Sequence, residues 1–96
     1  MPEINSSTLN AESIIKEILV SDVYLETDID RLDVDANLRD EYGLDSLGFL
    51  ELRTRCENRF DVSIADDDFN PVNFNSIRIL AVFVDNLQKS QRNAAL

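Results

Sequence analysis

The side chains able to do chemistry in this chain are carboxylates, hydroxyls and one thiol, because histidine is absent and Cys56 is the single cysteine. Without an imidazole there is no Ser-His or Cys-His pair and the commonest general base is missing, so a self-sufficient enzyme is not expected. The acids invite a calcium reading: Asp33, Asp35 and Asn37 fall on positions one, three and five of a calcium-loop pattern. That pattern fails where it needs glycine, at Leu38, and where it needs a bidentate Glu, at Leu44. Frames opened at Asp28 or Asp66 fail at the same positions, with Asp33 and Pro71 sixth and Arg39 and Ile77 twelfth. No metal site is expected. Asp66, Asp67 and Asp68 could pair for acid–base work, but consecutive acids on a polar segment are far more often a solvated face. Cys56 falls on an apolar helical stripe, where burial raises a thiol pKa and removes reactivity. Ser46 remains, in the context Gly43-Leu44-Asp45-Ser46-Leu47 at a helix start, where a serine by itself is most often a cap.

The elements that must position these groups read as helices. Asn10 caps a first helix over roughly 10 to 21, with Ala11, Ile14, Ile15, Ile18 and Leu19 at three-and-four spacing. From Asp22 to Asp45 no period persists; isolated apolar residues such as Leu32, Leu38 and Leu44 punctuate nine acids and two arginines, as in a long loop pinned to a core. Ile29 to Leu32 could form one helical turn within it. Asp45 or Ser46 caps a second helix ending near Phe60, Asp66 to Phe69 form a short third helix before Pro71, and Asn75 or Asn73 caps a last helix carrying Ile77, Leu80, Ala81, Val84 and Leu87. Nothing alternates with period two and no repeat is present, so the expected fold is all-α: a small bundle of three principal helices, one short helix and a long loop between the first two. The reading divides the chain into a flexible stretch 1–9, a domain 10–88 and a flexible polar tail 89–96.

Ninety-six residues, 44% hydrophobic with only two glycines and two prolines, suffice for one small core and leave no room for a second. The net charge of −10 repels DNA, RNA and anionic lipid and attracts basic partners. No apolar run is long enough to span a bilayer, and the first ten residues resemble no targeting segment, so a cytoplasmic location is expected.

The second helix carries one apolar stripe too many. Phe49, Leu52, Cys56 and Phe60 share a narrow arc suited to the core, while Leu47, Leu50 and Thr54 project from roughly the opposite side, bordered by Glu51, Glu57 and Asn58. Arg53, Arg55 and Arg59 are placed on the flanks of the core stripe. Either the acidic loop covers the second stripe, or it is a docking face for a greasy groove ringed by Lys or Arg.

Around these residues the sequence resembles the acyl carrier protein family. The resemblance rests on Asp45-Ser46-Leu47, on Glu51-Leu52 a fixed distance on, on Phe60, on the stretch from Asp61 to Asp67, and on Asn75-Ser76-Ile77, and it covers about residues 10 to 88. It implies an acyl-carrier-like four-helix bundle with a 4′-phosphopantetheine arm attached to Ser46, flanked by Asp45 and Leu47. It further implies partners that act in trans on a monomer: a phosphopantetheinyl transferase using coenzyme A and magnesium, an acyl-loading ligase or acyltransferase, and a ketosynthase or other acyl-processing enzyme. Leu47, Leu50, Glu51, Thr54 and Glu57 match the family's partner-facing helix. A phosphodiester on Ser46 would sit at the positive end of the second helix, which favours anions. Two departures stand out. Gly48 costs about 1 kcal/mol of helix propensity relative to Ala. Arg53, Arg55 and Arg59 make the second helix less acidic than is usual in fatty-acid carriers, which points to polyketide or other specialised-metabolite synthesis. An unmodified carrier-like adaptor and an aminoacyl carrier are the alternatives, with Asp45 leaning against the second.

Overall fold

The computed structural model describes residues 6–94, with side chains to Arg92, and contains no strand among them. Helix α1 spans Ser6–Glu17 and runs on into a π-helical turn, Ile18–Asp22. Helix α2 spans Ser46–Phe60 and α3 spans Ile77–Ala94. The expected all-α bundle of three principal helices is what forms. The short third helix reduces to a single 3₁₀ turn, Asp66–Asp68, and a second such turn, Ile29–Arg31, lies in the long loop.

Most of the core is built where the periodicity places it; Ile14, Phe49 and Leu87, expected on the core faces, are only partly buried against it. Ile15, Ile18 and Leu19 from α1 and its π turn meet Leu52, Cys56 and Phe60 from α2, and Ile77, Leu80, Ala81 and Val84 from α3, all buried. The long loop is pinned rather than free. Leu32, Leu38 and Leu44 are buried in the same core, and the Leu38 N–H donates to Asn75 O at 2.9 Å while the Arg78 N–H donates to Val34 O at 2.9 Å. The Arg78 guanidinium extends the pin, 3.6 Å from Glu12 on α1 and 3.2 Å from Asp35 in the loop. The loop thus joins α1 to α3 and delivers the chain to Asp45 in a fixed position.

Three expected boundaries move. Helix α1 begins at Ser6 instead of Asn10, inside the stretch expected to be flexible, because Thr8 is buried and its hydroxyl donates to Asp85 on α3 at 3.3 Å. Helix α3 continues through the expected tail, since Gln91 clamps the backbone of Ser63 with two hydrogen bonds of 3.0 and 2.8 Å. The remainder of those two expectations, residues 1–5 and 95–96, lies outside the described residues. The cap of α3 is neither Asn73 nor Asn75: Ser76 is buried there and its Oγ accepts from the Ile79 N–H at 3.2 Å. Asn75 and Ser76 are adjacent candidates of nearly equal cap preference, and the backbone hydrogen bond from Leu38 to Asn75 O decides between them.

Candidate functional site

Ser46 is the first residue of α2, and the sequence around it fixes the helix start tightly. Asp45 adopts an extended backbone and its Oδ1 accepts the Gly48 N–H at 2.8 Å, the geometry of a side-chain cap. The Phe49 N–H donates to Asp45 O at 2.9 Å and opens the helical ladder. Ser46 is left exposed, and its hydroxyl has no hydrogen-bond partner among the described residues. It therefore does not serve as the cap. The helix terminus adds unpaired amides and a positive dipole end beside it, both of which favour an anion.

Gly48 has a packing role that its propensity conceals. A Cβ at this position would lie 2.8 Å from Leu44 Cδ1 and 3.0 Å from Leu44 Cγ. Leu44 is buried, and its side chain packs against the first turn of α2 in the space that a side chain at residue 48 would enter.

A groove of about 460 Å³ opens beside Ser46. Phe49 and Leu50 of α2 form one wall with Ser46, Phe69, Pro71 and Phe74 form another, and Arg39, Asp40 and Asn75 add polar groups. Phe69 and Phe74 meet edge to face with centroids 5.0 Å apart. The Arg53 guanidinium lies 5.0 Å from the Phe69 centroid, and donates to Ile64 O at 2.6 Å and to Asp66 at 2.8 Å. Arg53 therefore holds the Asp66–Asp68 turn that carries the aromatic wall, in line with the stem-covering role expected on the core flank. The aromatic wall and Arg39 escaped the sequence reading, because the groove exists only once the loop after α2 folds back on that helix.

On the outer side of α2 the second stripe is uncovered, with Leu47 76% and Leu50 48% exposed. The acidic loop does not close over it. Glu51 is there too, paired with Arg55 at 2.7 Å, so Arg55 belongs to the outer face and not to the core flank where the sequence put it. That hydrogen bond, with Asp22 nearby, holds the Arg55 pKa above its ordinary value. The Thr54 hydroxyl donates back to Leu50 O at 3.1 Å. Glu57 is different: its Oε2 accepts the Ile64 N–H at 2.9 Å, so its carboxylate is turned to the connection after α2 and not to the face shared by Leu47 and Leu50. Cys56 is buried, and burial pushes its thiol up to about 12.

These features fit a covalent phosphodiester arm: an unbonded exposed hydroxyl, a capped helix terminus and an adjacent partly apolar groove. A family described as the phosphopantetheine attachment site matches residues 13–84. The solved structure of apo KstB-PCP, a peptidyl carrier protein, superposes with a TM-score of 0.68 at 31% identity, covering 83% of this chain and 88% of that one. With three quarters of its length matched and its fold shared with a carrier protein, the chain belongs to the phosphopantetheine attachment family, whose cofactor is covalently bound 4′-phosphopantetheine.

Proposed function

We propose that Ser46 bears the arm, and that the protein presents acyl cargo of a polyketide or related specialised-metabolite pathway to its enzymes through α2, acting as their substrate and not as a catalyst. The observation that carries this reading is Ser46 itself, exposed and unbonded at a terminus that Asp45 has already capped. When bound, the arm supplies a thiol that holds cargo as a thioester. Asp45 keeps the helix start rigid while leaving the Ser46 hydroxyl free for a transferase to activate. Leu47 and Leu50 offer an apolar centre for the partner, and the groove walled by Phe49, Phe69 and Phe74 offers shelter from water.

Arg53, Arg55 and Arg59 support a specialised pathway over fatty-acid synthesis, since each neutralises a carboxylate on or beside α2. An aminoacyl cargo is the second reading, favoured by the likeness to KstB-PCP. The two separate in a loading assay on the arm-bearing protein: acyltransferases with acyl-coenzyme A on one side, adenylating ligases with amino acids and ATP on the other. A hydroxylamine-labile mass increment in the first arm alone supports the acyl reading. An increment only in the second replaces it with the aminoacyl one, and none in either contradicts a carrier role.

A further inference from the structure

Arg39 is the one cation lining the groove beside Ser46, and it has no ion pair among the described residues. Six of the nine basic side chains are paired: Arg31, Arg53, Arg55, Arg59, Arg78 and Lys89. Lys16 and Arg92 are the other two without an ion pair among the described residues, and neither lines the groove. The backbone of Arg39 is also fixed. The Gly43 N–H donates to Arg39 O at 2.9 Å, the Glu41 N–H to Asn37 O at 2.9 Å, and the neighbouring Leu38 is buried and bonded to Asn75. From this anchored turn the guanidinium reaches to 6.0 Å from the Phe49 ring centroid, on the wall that Ser46 shares. Asp40, the acid of the same turn, also lines the groove, and its N–H is tied to Asn37 Oδ1 at 2.8 Å.

We propose that Arg39 is a positioning residue that pairs with the phosphodiester joining the arm to Ser46 and so biases the arm to lie along the Phe49 wall instead of extending into solvent. The inference rests on attachment at Ser46. The chemistry favours a phosphodiester because it is a permanent monoanion held next to the groove mouth, and guanidinium is the side chain best suited to phosphate oxygens. The terminus of α2 at Ser46 adds its own attraction for an anion. A carboxylate on the cargo is the competing anion, so the test uses protein bearing the arm but no cargo.

The experiment compares ¹⁵N-labelled protein before and after modification with coenzyme A and a broad-specificity transferase, with intact mass recorded on each sample. Arg39 Nε–H, Phe49 ring protons and the ³¹P resonance are followed in wild type, R39Q and R39K. In wild type, modification is expected to shift the Arg39 Nε–H and the Phe49 ring. R39Q is expected to move the ³¹P resonance and abolish the Phe49 shift, R39K to retain part of it, and about 1 M salt to make wild type resemble R39Q. Arg39 is exposed, so R39Q should keep the apo amide spectrum elsewhere. A modified protein in which Arg39 and Phe49 do not move, or in which R39Q leaves the ³¹P resonance unchanged, overturns this inference alone. A protein with no added mass overturns it together with the assignment of Ser46.

Discussion

At the scale of single residues, the neighbours of Ser46 fix the helix start that presents it, Asp45 by capping and Gly48 by leaving room for Leu44. Gly48 reads in the sequence as a weak point of α2, yet the structure makes it the space into which Leu44 packs. Gly48→Ala should gain about 1 kcal/mol of helix propensity and lose about 2 kcal/mol by displacing a buried leucine. The expected net is a loss of about 1 kcal/mol in urea unfolding. A stabilised variant would show that Leu44 can move aside freely. Cys56 makes a second residue-level prediction. With its thiol near 12, the native apo protein should not react with a thiol reagent at pH 8, whereas the protein bearing its arm should show one reactive thiol, that of the arm. Because the folded-state pKa is raised, the contribution of Cys56 to stability is complete below the ordinary thiol value of 9.0 and declines as pH rises toward about 12. A Cys56→Ser variant should lack that decline.

At the scale of elements, α2 was largely legible because its start is written in local chemistry: Asp45 provides an oxygen three residues before the Gly48 amide, and Phe60 closes the apolar stripe. What an angular projection could not give was the return path of the chain. Asp61 turns left-handed with φ 54° and sends Val62 and Ile64 back into the core, and this return places the Ile64 N–H on Glu57 and the Ile64 carbonyl on Arg53. A residue that reads as part of the docking face therefore holds the connection after α2. Glu57→Ala should destabilise the fold by about 1–2 kcal/mol through the unpaired buried amide while leaving partner kinetics unchanged. Leu47→Asp should do the reverse, with stability within about 0.5 kcal/mol of wild type and partner kcat/KM reduced. The Thr8 and Gln91 contacts were likewise hidden, since each joins residues far apart in sequence and polar in character, where periodicity carries no signal.

At the scale of the whole molecule, 19 acids against 9 bases create a field that the fold does not neutralise, and the apolar stripe of α2 lies within it. On the proposed reading, charge steers a basic partner and Leu47 with Leu50 hold it, so the two contributions should separate by ionic strength. Raising salt from about 0.01 M to 0.15 M shortens the screening length from about 30 to 8 Å. The transferase kcat/KM should fall several-fold over that range while the effect of Leu47→Asp persists. A salt-independent rate would assign docking to the apolar stripe alone. Among the described residues no helix is long and apolar enough to cross a membrane. The all-α class and the single core were legible from composition and period, but the groove was not, because its walls come from α2, the loop before it and the connection after it. The most direct test of the account is the intact mass of wild type and Ser46→Ala after incubation with coenzyme A, magnesium and a broad-specificity phosphopantetheinyl transferase. One phosphopantetheine on wild type and none on the equally folded variant is the predicted result; addition to both, or to neither, would contradict attachment at Ser46.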